Sequence, residues 1–200
     1  MPPLFHRLHI WQRAASARLL ALLFLLFSVL WSATLVHAAS DRVASEEAVK
    51  AASLYKFLNY IEWPPESFAS ADTPYVIGVA DASGVADALS DIVAQRRVNN
   101  RQIVIKRLRS DDNATGIHLL FIGKSEKSRQ AAWIKSVQRQ PVLIVTEMDN
   151  ALAQGSMINF TLVDHRVRFE VNLASLDQSR LKINTRMLAV AVAVIKDSPQ

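Results

Sequence analysis

The side chains able to do chemistry are few and poorly grouped. Beyond residue 38 the 200-residue chain holds just two histidines, His118 and His165, and it has no cysteine at all. Neither histidine has a carboxylate at ligand spacing, so both are expected to be structural rather than metal ligands. No Gly-X-Ser-X-Gly elbow is present to expose a serine nucleophile. Gly123-Lys124-Ser125 invites a phosphate-loop reading, since it follows an apolar run and precedes a helical pattern. A Walker loop needs glycine five positions before Gly123, where His118 stands inside the preceding strand. Ser125 is therefore expected as a helix cap. Asp81 and Lys124 lie just beyond two such runs, as in a phosphoacceptor site, but the adjacent acidic pair that would hold magnesium is missing. Asp111-Asp112 offers weak calcium ligands or a solvated turn. A hydrolase would need two carboxylates converging in one cleft, and no pair is placed for it.

Two features point to binding instead. Trp63 stands before Pro64-Pro65 at a stiff helix exit, where its large area would serve an interface, a pocket or the core. Arg166, Arg168, Arg180, Lys182 and Arg186 form a basic set; Arg166 and Arg168 are two apart in a strand and so share a face, as a binding edge or as a solvated one.

Apolar periodicity places the elements. A helix is expected over 41–62, capped by Ser40 or Asp41 and stopped by the prolines. Runs at 75–79, 101–108, 118–122 and 141–145 read as strands, with helices from Val85 to Val93 and from Ser125 to Val137. A short helical piece follows near 150–153. Segments 157–163 and 167–173 flank Asp164-His165-Arg166 as an antiparallel hairpin, placed at a sheet edge or extending a sheet across a homodimer. Leu181–Ile183 adds a short strand, and Thr185–Ile195 is expected to close as a helix. The fold class is α/β: a single-domain three-layer sandwich, its sheet mainly parallel, with the antiparallel hairpin near the C-terminus.

The N-terminus sets the expected compartment. Arg7, Arg13 and Arg18 precede an uncharged apolar run from Leu19 to Val36, and Val36-His37-Ala38 has the small residues that signal peptidase reads. Residues 1–38 are expected to be a signal peptide cleaved after Ala38, or after Ala39, leaving 39–200 as one periplasmic domain. The alternative is an uncleaved anchor, as the run approaches the length of about 20 residues that spans a bilayer. Either way the remainder works outside the cytoplasm. With the segment go three of the 23 Lys and Arg and none of the 18 Asp and Glu, so the formal net charge falls from +5 to +2. A near-neutral domain carries no electrostatic footprint for nucleic acid.

Six words in fixed order then give a resemblance. They are Lys56-Phe57-Leu58 with Ile61-Glu62-Trp63-Pro64; His118 to Ile122 with Ser125; Pro141 to Thr146; Met157-Ile158-Asn159-Phe160; Val167 to Leu173; and Leu181 to Asn184 with Met187-Leu188. On these the chain resembles the YfiR family over nearly all of residues 39–200. The resemblance implies a regulator without cofactor or catalytic step, binding the periplasmic domain of an inner-membrane diguanylate cyclase and holding cyclic di-GMP synthesis down. It implies an outer-membrane lipoprotein as a sequestering partner, and a pocket for aromatic or nucleotide-like ligands with its basic edge near Lys182 and Asn184. The family's redox-active cysteines have no counterpart here, so disulfide-controlled release is not available. The binding residues expected are Trp63, Phe68, Arg168, Lys182 and Asn184, with Phe160 or Phe169 as further anchors. A small-molecule binding protein, with Trp63, Arg168 and Lys182 converging on one pocket, is the alternative.

Overall fold

A computed structural model describes residues 46–196. The expected signal peptide, the expected cap at Ser40 or Asp41, and the tail beyond Lys196 lie outside these residues.

A helix, α1, covers 46–60. Ala51, Leu54, Phe57 and Leu58 recur at three- and four-residue spacing and are buried as one stripe. The helix does not run to 62 as expected. Ile61–Glu62 is already extended, as β1, before the prolines are reached. Trp63 precedes a proline and is pushed out of helical geometry, and the two residues ahead of it find a β partner.

The main sheet follows, with β2 at Tyr75–Ala80, α2 at Ser83–Val93, β3 at Ile103–Leu108 and β4 at Leu119–Ile122. Next come α3 at Gln130–Val137, β5 at Leu143–Thr146, β6 at Ile158–Val163 and β7 at Arg166–Asn172. Then α4 at Leu173–Gln178, β8 at Lys182–Ile183, α5 at Thr185–Leu188 and β9 at Ala193–Ile195 complete the chain. Seven strands join in the order β3-β2-β4-β5-β6-β7-β9, while β1 and β8 form a separate antiparallel pair. Strands β2 to β6 run parallel, and β6–β7 is the expected antiparallel hairpin. All four residues of β4 and of β5 are buried, as strands covered on both faces must be. β3 alternates at the edge, with Val104 and Lys106 exposed.

Register puts Ile77, Leu119, Leu143 and Val145 on one face with Phe121, Phe160 and Phe169. Phe57 of α1 meets Phe160 at 5.9 Å and Phe169 at 5.3 Å between ring centroids, so α1 covers that face. α2 lies there too, for Arg96 just beyond it rests 5.2 Å from the Tyr55 ring. The unit β2-α2-β3 advances along the sheet in the opposite sense to β4-α3-β5. By the right-handed rule for such parallel crossovers, α3 is placed on the other face, and three layers follow.

Two helices depart from expectation. The 125–137 helix is split into a 3-10 turn at Lys124–Glu126 and α3, and Ser125 is not its cap; its hydroxyl donates instead to the Asp81 carbonyl at 2.7 Å. The helix expected over Thr185–Ile195 is four residues long, and Ala193–Ile195 pairs with β7 in parallel as the edge strand. Valines at 190, 192 and 194 alternate at period two, and an open sheet edge takes that pattern over the helix preference of the intervening alanines. The hairpin is therefore internal to the sheet.

Asp164 and His165 form the hairpin's two-residue loop with φ of 49° and 59°, the left-handed pair of a type I′ turn. Glycine adopts this conformation without the Cβ penalty that His165 carries. His165→Gly is expected to raise stability by about 0.5–1 kcal/mol, read as a higher urea midpoint at unchanged slope.

Candidate functional site

Trp63 leaves β1 with its ring edge-on to Tyr75 at 5.3 Å, and its indole N–H donates to the His118 carbonyl at 3.2 Å. It is 8 % exposed, so its area is spent inside the molecule. Phe68, half-buried, stacks on the His118 ring at 4.7 Å and meets Tyr75 edge-on at 5.1 Å. Above Phe68, at 4.0 Å, lies the Arg101 guanidinium, which also donates to the Ser70 and Thr73 carbonyls at 2.8 Å each. A cation over an aromatic face and two charge-assisted hydrogen bonds thus pin the loop that follows Pro64-Pro65.

His118 closes the same latch from beneath. Its Nδ1 accepts the Val76 amide N–H at 3.1 Å, which leaves the ring proton on Nε2 to donate to the Ser67 carbonyl at 3.1 Å. The bond from Val76 requires the neutral ring, whereas the bond to Ser67 survives protonation. Burial lowers the ring's pKa below 6.5 as the strongest influence; the Ser67 carbonyl raises it and nearby Arg101 lowers it.

The other expected residues fall elsewhere. Lys182 lies opposite Glu62 in the β1–β8 pair and is exposed. Asn184 caps α5 by accepting the Arg186 N–H, and its own N–H donates to the Tyr60 carbonyl at 2.8 Å. Both therefore flank the exit of α1, close in the chain pairing to Trp63. Arg180 reaches Glu66 at 2.6 Å and ties α4's exit to the loop. Arg168 is exposed in β7, in the other sheet, opposite Thr161, with Arg166 opposite Val163 on the same face. The structure joins Trp63 to Phe68 and sets Lys182 beside Asn184, but it does not bring Arg168 to either group. Phe160 and Phe169 pack on Phe57.

A polar cluster at the opposite end of the strands escapes sequence reasoning. Lys50, 8 % exposed, pairs through its ammonium with Glu147 at 2.6 Å, and Glu147 also accepts the Lys124 backbone N–H at 3.1 Å. Beside them Asn159 Oδ1 accepts the Thr146 hydroxyl at 2.9 Å and the Met148 N–H at 3.0 Å. Thr146 in turn meets Ser156 at 2.8 Å between hydroxyl oxygens. These residues come from α1, β5, β6 and two loops, so no local spacing announces them. The single hint is an asparagine set between the buried Ile158 and Phe160.

Among the described residues no group of three or more His, Cys, Asp or Glu is placed to hold a metal ion. No helix among them is long and apolar enough to cross a membrane.

The His118 latch fixes a pH response. The unfolded chain takes a proton near 6.5 while the folded one resists it, so this contribution to stability is complete above that pH. It is lost as pH falls from about 6.5 toward the lower folded value. Urea unfolding at pH 7.5 and 5.5 is expected to show a lower midpoint at the acid value. His118→Asn, which keeps an acceptor for Val76, is expected to shrink that difference.

A family model described as YfiR/HmsC-like matches residues 47–192, from the first turn of α1 to the approach of β9. This range holds α1, the latch and the strands β1 to β8, and it spans well over half of the chain. The chain belongs to the YfiR/HmsC-like family.

Proposed function

We propose that this chain is an exported, periplasmic regulatory protein that binds the sensor portion of a membrane-bound diguanylate cyclase and represses it, lowering cyclic di-GMP. The observation that carries the reading is the family match over residues 47–192, since YfiR-type proteins regulate diguanylate cyclases. The interior is consistent with a binding role. His118 is bonded on both ring nitrogens, Glu126 accepts the Trp133 indole N–H and the Ser110 hydroxyl, and Lys50 faces Glu147. These buried titratable groups hold structure together.

Repression then needs differential affinity alone. A domain that binds one state of a sensor shifts it by the difference between its two affinities, and moving a switch from mostly on to mostly off takes about 5 kcal/mol. The residues able to meet a partner are the exposed ones: Arg166 and Arg168 on β7 beside exposed Val163, and Lys182 with Asn184 at the α1 exit. Trp63 and Phe68 support that exit from within. An outer-membrane lipoprotein that competes for the same surface would release the cyclase, and a homodimer would present it twice.

Deleting the gene is expected to raise cellular cyclic di-GMP several-fold, and supplying the chain in trans to restore it. Arg168→Glu and Lys182→Glu, both at exposed positions, are expected to fold normally and restore less, the affinity falling about tenfold for a partner contact worth about 1.4 kcal/mol. Cyclic di-GMP that stays unchanged on deletion in every growth phase would overturn the reading.

A further inference from the structure

β6 outruns its neighbour. Its pairing with β5 ends at Thr146 and Asn159, and Phe160 to Val163 continue past the end of that strand. The step leaves a cavity of about 280 Å³ at the carboxyl ends of the parallel strands, where open α/β sheets receive ligands. Lys50 of α1 lies on one side, with Lys124 after β4 and Glu147 and Asp149 after β5.

The hydrogen-bonding capacity of this lining is unevenly used. Glu147 is occupied, one oxygen on the Lys50 ammonium and the other on the Lys124 backbone N–H. Asn159, only 6 % exposed, has its oxygen fixed by the Thr146 hydroxyl and by the Met148 N–H, which can only donate. That fixes the orientation of its amide. The Nδ2 group, with two donors, finds no acceptor among the described residues, although Asn159 is buried and lines the cavity. It opens on the cavity rather than being sealed inside, since the buried side-chain polar atom left unpartnered among the described residues is the Ser67 hydroxyl, and it is therefore free to meet a ligand. The Lys124 ammonium has no ion pair among the described residues, nor does the Asp149 carboxylate. Thr161 adds a hydroxyl, and Phe160 and Leu162 give an apolar wall.

The geometry points to a binding site here for a small carboxylic acid that carries a second, donating polar group. Its carboxylate is held by the Asn159 amide and the Lys124 ammonium. Its hydroxyl or ammonium faces Asp149, and its short carbon skeleton lies on Phe160 and Leu162. Two unspent donors and one unspent acid select this class over a cation or a phosphate, because the Lys50 ammonium is already taken by Glu147 and, at 3.9 Å, by Glu46. The volume suits a molecule of a few carbons. Hydroxy acids and amino acids share this chemistry. The site is separate from the Trp63 and Lys182 region and stands whether or not the chain represses a cyclase.

The test follows the Asn159 side-chain amide by NMR in the full-length chain, titrated separately with L-lactate, L-serine and the neutral lactamide. Saturable shifts of that amide pair at sub-millimolar lactate or serine are expected, with lactamide at least tenfold weaker. Lactate alone marks a hydroxy-acid site, serine alone an amino-acid site, and both together a site for the shared carboxylate. Lys124→Met, at an exposed position, is expected to weaken binding about tenfold, and Asn159→Asp, which keeps the oxygen but replaces the donors with an acceptor, to abolish it. Should Asn159→Asp fail to fold, Lys124→Met and lactamide decide. The proposal is overturned if neither acid moves the Asn159 amide at tens of millimolar, if lactamide binds as well, or if Lys124→Met binds unchanged.

Discussion

Parallel strands with no polar face must be covered twice, and the arrangement of this chain depends on how α1 provides one of the covers. β4 and β5 expose nothing on either side, which is stable only if helices lie on both faces. α1 supplies one through Phe57, set between Phe160 and Phe169. A single helix on a sheet can slide, and both of its ends are fastened. At its start Lys50 is held to Glu147 at the carboxyl ends of the strands. At its exit Ile61 and Glu62 pair with β8, and Trp63 is bonded to His118 just ahead of β4. β8 and Asn184, between β7 and β9, pair with that exit, so a segment near the C-terminus completes what the first helix begins.

These fastenings explain the division of labour among the polar groups. Apart from the Ser67 hydroxyl, which is buried without a partner, the buried ones named here are used in pairs or triplets, as a hydrogen bond left unmade inside a protein costs more than the same bond contributes. His118 sits between Val76 and Ser67, and Glu126 between Trp133 and Ser110. Asn172 caps α4 while donating to the Leu152 carbonyl. The unspent groups lie on the outer strands, at the α1 exit and in the cavity beyond β5. That distribution suits a protein whose work is done by contact at its surface, as expected of a YfiR/HmsC-like regulator.

Most of the fold was legible in the sequence because its signals are local. Fully apolar runs such as Leu119–Ile122 and Leu143–Thr146 read directly as buried strands, and the Asp164-His165 loop between alternating segments read as a hairpin. Errors arose where tertiary pairing outweighed local pattern. Ile61–Glu62 looked like the end of a helix until β8 was there to pair with it, and Ala193–Ile195 looked helical until β7 offered a parallel edge. The candidate site was less legible. Trp63 and Phe68 could be singled out by type, but that they would meet Tyr75, His118 and Arg101 depended on strand order. Lys50, Glu147 and Asn159 come from segments up to 109 residues apart in number, and no spacing rule links them.

The proposed repression requires a bound surface to restrain the cyclase with no covalent bond made or broken. The most direct measurement reconstitutes the membrane cyclase in vesicles with its sensor facing outward and follows cyclic di-GMP formation inside as purified chain is added outside. The predicted result is a saturable fall in rate that reverses when the chain is washed away or competed off. A rate that stays constant while the chain is shown to bind, or one that falls without any binding to the sensor, would contradict it.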